Sequence, residues 1–533
     1  MPHQTRLVVT QIDEYAQTDP SRVWAAIPID DDDLSKGFKD VTYTDFANAV
    51  GHACAWLEAT LPPSQTPFET IAYAGVKDVR YPILAVAAAK IERKLLLLSP
   101  FASIDAQAHL IQASECKVFL HGEHNAAMVQ QVLAKAAPAQ CSDIVIPPLS
   151  DLLFKEEVVS YKFKKSPDEA KDDPWLIFHT SGTTGLPKLI TYTHVMMASF
   201  NEAALMPDAK DETMLDHFAN RRWYTPLPSL HFVGMTVSFQ FPIFTGGVVV
   251  IGPGGTGPTT PSLAREVMIR GKVQGSVLPP VLIDALCASP EGLACLRAQD
   301  YIYFAGAPLS RDTAAKLNPH VPVKPAMGST EAGAYFLRIS GDEDWEYYSF
   351  RPGMGMKLQP TSSGDLYEAV FVREKGLEAW QQVFKIYPEL QEFRTKDLFS
   401  RHLSRPDAWK YVGRADDLIV FSHGEDLYAT GVEEEIVKAH KDISGVFVGG
   451  QGRAKPFVIV DWENEKTDEE RLAELLPIIE KANEKLSDLV KLSKDLVLFT
   501  RPEKRLVRTG KGSVSRIGNE EGFREEIDAL YKV

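Results

Sequence analysis

The chain has 533 residues, carries 57 Lys and Arg against 72 Asp and Glu for a net charge of −15, and is 44% hydrophobic, 24% charged and 10% aromatic. This composition is that of an ordinary globular protein and excludes disordered, collagen-like and disulfide-stapled classes. The acidic excess also argues against a dedicated nucleic-acid binder, because a phosphate backbone selects for clustered positive charge.

At the N-terminus, MPHQTRLVVTQIDEYAQ acquires polar and charged residues too early to form the apolar block of a signal peptide. The best membrane candidate, residues 81–89, is closed by Lys90 and falls far short of the roughly 20 apolar residues needed to span a bilayer. Five cysteines (Cys54, Cys116, Cys141, Cys287 and Cys295) form no CxxC pair, so neither a disulfide framework nor a thiolate zinc site is expected. A cytoplasmic enzyme is the expected class.

From residue 40 to about 330, short runs rich in β-branched and aromatic residues alternate with helix-like segments, the pattern of an α/β body. Residues 175–179, 248–251, 301–304 and 321–325 are expected buried strands, each followed by a turn rich in Gly, Pro, Ser or Thr. In open α/β sheets ligands bind beyond strand ends, so these turns are the places to look for chemistry. The polar stretch 160–173 reads as an exposed loop or short linker, and Gly252-Pro253-Gly254-Gly255-Thr256-Gly257 as a loop, its prolines spoiling a dinucleotide fingerprint. Near residue 412 the texture changes to a small α+β unit, with strands expected at 445–449 and 457–462 and a charged helix at 468–491.

Directly after the strand at 175–179 comes Thr180-Ser181-Gly182-Thr183-Thr184-Gly185-Leu186-Pro187-Lys188. Glycines let backbone N–H groups converge on an anion, hydroxyls add donors, and a lysine supplies a mobile positive charge for a polyphosphate. The Walker A spacing is absent, since Lys188 is followed by Leu189.

This string resembles the phosphate loop of the adenylate-forming superfamily of acyl- and aryl-CoA ligases, luciferases and nonribosomal-peptide adenylation domains. Four further segments stand in the family's order: Phe304-Ala305-Gly306-Ala307-Pro308, Gly328-Ser329-Thr330-Glu331, Phe393-Arg394-Thr395-Lys396-Asp397 and Gly413-Arg414-Ala415-Asp416-Asp417. The resemblance implies a large α/β N-terminal body (1–412) that binds ATP and an acid, and a small mobile α+β C-terminal domain (413–533) turning about a hinge at Asp416. It implies that Thr330 contacts the α-phosphate and that Glu331 holds Mg2+. Asp397 and Arg414 would lie at the ribose, Ala305, Gly306 and Ala307 would border the adenine, and Gly328, Ser329 and Met327 would complete the nucleotide site. Met327 replaces the family's usual adenine-stacking aromatic. The catalytic lysine is expected in Arg508-Thr509-Gly510-Lys511-Gly512-Ser513, at Lys511.

For the acid pocket, the resemblance points to His231, Phe232, Val277, Pro279, Phe304, Gly306, Ala326, Ala332 and Gly333. Amino-acid-activating relatives place an Asp where Phe232 stands, and a buried ammonium without a carboxylate would be costly; an α-amino acid is therefore not expected, and the resemblance implies an aryl acid instead. Val420, standing where relatives carry a lysine, together with HTSGTTGLPK and TGKGSVSR, is similar to the adenylation domains of fungal carboxylic acid reductases. Such enzymes load the acyl group onto the phosphopantetheine thiol of a carrier protein and release it as an aldehyde through an NADPH-dependent reductase domain. No carrier serine motif or GxGxxG unit follows Lys511, so activation without reduction is expected of this chain. Alternatives are a free-standing aryl- or acyl-CoA ligase and, from another class, a catalytically silent nucleotide or carboxylate sensor.

Overall fold

The computed structural model describes residues 6–100, 102–137, 140–180, 187–203, 206, 213–255, 257–361, 365–423, 425–508 and 513–532. Two sheets dominate the body. The first runs Ser142–Val145, Val118–His121, Thr70–Ala74, Lys94–Leu97, Pro174–His179, Leu189–Thr193, parallel except for its last pair. The second runs Val323–Ala326, Tyr301–Ala305, Gly275–Leu278, Arg222–Tyr224, Val248–Val250, Val23–Pro28, Phe38–Thr42, again parallel except at the last pair.

Parallel strands covered on both faces must be apolar on both faces, and these strands are. Alternate residues feed different cores. Ile71, Tyr73, Leu95 and Leu97 join Val277, Tyr303 and Ala305 in one large cluster between the two sheets. Ala72, Ala74, Leu96 and Phe119 pack beneath the first sheet, while Leu278, Ile302, Phe304 and Val323 pack against helices on the outer face of the second. The apolar run at 81–89 lies in the helix Arg80–Lys90, a buried core helix whose terminal Lys90 ammonium bonds Asp13 at 2.6 Å and the Tyr161 carbonyl at 2.7 Å. Among the described residues no helix is long and apolar enough to cross a membrane.

Residues 160–173 are tethered more firmly than a linker: Tyr161 donates to Glu58, Lys165 pairs with Asp173 at 2.7 Å, and a Ser166–Glu169 capping box starts the short helix Pro167–Ala170. The loop at 252–257 is held to the body by Asp31 and Lys77. All five cysteines are free.

A third, antiparallel sheet (Leu337–Arg338, Tyr347–Phe350, Trp409–Arg414, Glu392–Arg401, Leu366–Val372, Met356–Pro360) closes the body. After it comes the α+β unit, built on Ile443–Gly449, Phe457–Trp462 and Val497–Phe499 with helices on both faces. The expected helix at 468–491 spans Asp468–Asn483 and stops there, because the Asn483 amide exchanges hydrogen bonds with both backbone groups of Leu492 and folds the chain back.

Candidate functional site

The loop after Pro174–His179 is clasped at its base: the Thr180 N–H donates to the Lys188 carbonyl at 3.0 Å, and the Lys188 N–H to Thr180 Oγ1 at 3.3 Å. Lys188 is exposed beside that clasp. Ser181, Gly182, Thr183, Thr184 and Gly185 lie outside the described residues. The antiparallel strand Leu189–Thr193 returns from the loop and carries Tyr192, whose hydroxyl donates to the Thr330 carbonyl at 3.0 Å. One buried tyrosine thus ties the strand Leu189–Thr193 to the Thr330-Glu331 segment.

Thr330 and Glu331 sit at the tip of a tight hairpin between Gly328–Ser329 and Gly333–Ala334. The Ala332 N–H donates to Ser329 Oγ at 3.0 Å within that tip. Gly333 has φ +77°, a left-handed conformation that favours glycine, and a Cβ there would lie 2.6 Å from Gln382 Oε1, so that the Gln382 amide would have to move as well. Gly306, at φ +94°, makes the equivalent turn after Tyr301–Ala305 in open space.

Asp397 and Arg414 face each other across two strands of the third sheet. Their side chains approach to 3.4 Å, and the buried Arg414 Nε has no acceptor. Burial pushes the Asp397 carboxyl up to about 6, against the pull of Arg414 and Thr395, with Glu331 adding to the rise. A carboxylate beside a guanidinium offers a vicinal diol both an acceptor and donors. The preceding Lys396 is left-handed at φ +64°, strain of the kind that collects at functional sites, and its ammonium reaches Asp416 at 2.9 Å.

On the acid side, register places Leu278 beside Phe304, Phe304 beside Pro325 and Ala305 beside Ala326, so the turns at Pro279, Gly306 and Met327 end three adjacent parallel strands. This is the crevice at carboxyl ends where α/β sheets bind ligands. Val277 and Phe232 belong to the core between the sheets, with Ala332, while Ala326 and Met327 pack against it. Phe304 does not join them: strand alternation turns it to the outer face, 6.2 Å from Trp345, which removes it from the pocket wall. Phe232 is 7% exposed and meets Phe178 and Tyr192. His231 begins the same helix, its ring 6.5 Å from that of His179 at the base of the phosphate loop.

At the junction with the small unit, a Cβ on Gly413 would fall 1.2 Å from Tyr428 Oη, which accepts a hydrogen bond from the Arg414 N–H. Asp416 bonds backwards, to Lys396 and Arg414, whereas Asp417 bonds forwards, to Arg516 at 3.7 Å, itself held by Glu433 at 2.9 Å. Lys511 lies outside the described residues. Sequence reasoning did not single out Tyr192 or Tyr428, whose hydroxyls organise these corners; a tyrosine's hydroxyl role depends on where the fold sends it. The described residues contain no cluster of three metal-ligating side chains.

The AMP-binding enzyme profile matches residues 13–358, and that of the AMP-binding enzyme C-terminal domain matches residues 416–533. The chain is similar to a carboxylic acid reductase of Neurospora crassa, at 29% identity over 100% of this chain and 51% of that protein. It is also similar to an isocyanide synthase–NRPS hybrid of Aspergillus fumigatus, at 27% identity over 100% of this chain and 34% of that one. It thus spans about half of the first relative's length and a third of the second's. Its fold is shared with the ATP-bound MatB from Rhodopseudomonas palustris, at a TM-score of 0.71 and 19% identity, covering 98% of this chain and 100% of that one. With its phosphate-loop clasp, its Thr330 hairpin and its Asp397–Arg414 corner in the family's order, the chain belongs to the AMP-binding, adenylate-forming enzymes.

Proposed function

We propose that this chain adenylates a carboxylic acid, an aryl acid in particular, with ATP and Mg2+, and passes the acyl group to the phosphopantetheine thiol of a carrier protein. The observation that carries this reading is the pairing of Asp397 with Arg414, 3.4 Å apart on adjacent strands, with the Glu331 charge near enough to raise the Asp397 carboxyl further. Asp397 and the Arg414 guanidinium would hold the ribose hydroxyls. Lys188 and the Thr330 hairpin would bracket the phosphates, and Glu331 would share a Mg2+ with phosphate oxygens, the arrangement this ion prefers. A substrate carboxylate oxygen attacks the α-phosphorus, the bond to the bridging oxygen breaks and pyrophosphate leaves. A thiol then attacks the acyl carbonyl and AMP departs. The protein's part is positioning and charge neutralisation.

Phe232, boxed in by Phe178 and Tyr192, supports an acid without an α-ammonium, and Gly306, Ala332 and Gly333 leave room for a ring. A body of 1–412, a small domain of 413–533 with Lys511 as its catalytic lysine, and a hinge at Asp416 complete the proposal; an NADPH-dependent reductase domain is the proposed consumer of the thioester.

The test is acid-dependent pyrophosphate release from ATP and Mg2+, with hydroxylamine as acceptor, across benzoic, hydroxybenzoic, cinnamic, fatty and α-amino acids. Release with aryl acids supports the reading, and release confined to α-amino acids overturns the Phe232 argument. Subsequent turnover with CoA alone would favour a CoA ligase over a carrier-dependent domain. Asp416→Pro should leave adenylation largely intact and impair thiol transfer; equal loss of both steps removes the hinge.

A further inference from the structure

The edge strand of the first sheet, Ser142–Val145, begins directly after Cys141, and its neighbour Val118–His121 begins two residues after Cys116. Val118 pairs with Ser142, so extending that parallel register by one residue sets Cys141 opposite Lys117, with Cys116 one step beyond. The ladder holds that far, because the Ser142 N–H donates to the Lys117 carbonyl at 3.1 Å. A strand spacing of about 4.8 Å and a rise of about 3.3 Å then separate the two cysteine Cα atoms by about 5.8 Å. That lies inside the roughly 4.4–6.8 Å span of disulfides. Cys116 belongs to the core beneath the first sheet, Cys141 packs against it, and their sulfurs are 3.9 Å apart.

The two thiols are not equivalent. Cys116 is 2% exposed, whereas solvent reaches Cys141. A hydrogen bond from the Cys116 thiol holds Cys141 below the usual thiol range, with the Lys117 ammonium helping, while burial pushes Cys116 well above it. An accessible thiolate with a second sulfur in contact behind it is the arrangement of an attacking and a resolving cysteine. Elsewhere burial pushes Cys54 up to about 12 and Cys287 up to about 11, which keeps those thiols protonated and inert.

We propose that Cys141 and Cys116 are a redox pair that a peroxide closes to a disulfide, fastening the edge strand Ser142–Val145 to its neighbour. The inference is independent of the nucleotide and acid sites. With hydrogen peroxide, the Cys141 sulfur attacks one oxygen: an S–O bond forms, the O–O bond breaks, and the hydroxide released takes up the thiol proton as water. The Cys116 sulfur then attacks the resulting sulfenic acid: the S–S bond forms, the S–O bond breaks, and the second hydroxide leaves as water with the Cys116 proton. Two thiols thus lose two electrons and two protons, and one peroxide becomes two waters. An edge strand is held from one side only, so Ser142–Val145 is the element that the new bond steadies most.

The experiment treats the whole chain with hydrogen peroxide, counts its thiols after unfolding and maps disulfides by peptide mass. The five thiols should fall by two, with Cys116 joined to Cys141, and a dithiol reductant should restore all five. In Cys116→Ser the sulfenic acid at Cys141 should persist and be trapped by dimedone, and in Cys141→Ser the Cys116 thiol should survive. Amide hydrogen exchange across Ser142–Val145 should slow by about tenfold or more in the oxidised wild type and in neither variant. Five thiols remaining, sulfinic acid without a disulfide, a disulfide mapped to another pair, or exchange unchanged once the bond has formed overturns the proposal.

Discussion

The ribose corner and the acid side of this molecule are built on opposite plans. At the ribose corner, Asp397 and Arg414 sit in two contiguous motifs on adjacent antiparallel strands, so a single register fixes both side chains. On the acid side, Phe232, Pro279, Gly306 and Gly333 come from a helix, two strand ends and a hairpin. On the proposed function, the first region holds the nucleotide common to the family through charge, and the second selects the acid through shape. The proposed nucleotide corner is local in sequence; the proposed acid pocket is assembled from afar.

That contrast breaks most visibly at Arg414. Arg414→Ala should raise the KM for ATP by about 10- to 100-fold through lost charged hydrogen bonds, roughly 1.5–3 kcal/mol, while the KM for the acid stays put; steady-state kinetics with each substrate varied would show both. A matching rise for the acid would mean that the two regions are one. Next in size is Gly333→Ala, which forces a Cβ into a left-handed turn and against Gln382. It should cost about 1–3 kcal/mol of stability, read by denaturant unfolding, and should slow acid activation.

A smaller effect follows from the Asp397 carboxyl, raised from 3.8 to about 6. A raised acid favours the neutral form in the fold. Its contribution to stability is therefore full below about pH 4 and is lost as the pH climbs through 6. The ribose needs the ionised acceptor, so ATP affinity should weaken as the pH falls below about 6, and Asp397→Asn should remove that inflection in a binding titration. Smallest is Lys396→Ala: its pair with Asp416 is solvent-exposed, so the loss of stability should stay under about 1 kcal/mol.

The same contrast decides how much could be read from the sequence. The α/β body and the small α+β unit were legible, because strand composition carries them, and the contiguous motifs named the segments that meet at the Asp397–Arg414 pair and the Thr330 hairpin. The pocket was legible only as a set of positions. Phe304 neighbours Ala305 in the chain, yet the pleat sends it to the outer core, and no motif reports which face a strand residue takes.

The junction after Gly413 sets two neighbouring carboxylates to opposite tasks. Asp416 grips the body through Lys396, a pair roughly half exposed at the lysine, at 49%, and 38% exposed at the carboxylate, whereas Asp417 grips the small unit through Arg516 and Glu433, exposed by only 19% and 12%. Mobile ions reach the first grip and hardly the second. On the proposed hinge, the joint is a salt-sensitive latch riveted to a less salt-sensitive arm: raising ionic strength should weaken the grip of Asp416 on the body more than that of Asp417 on the small unit.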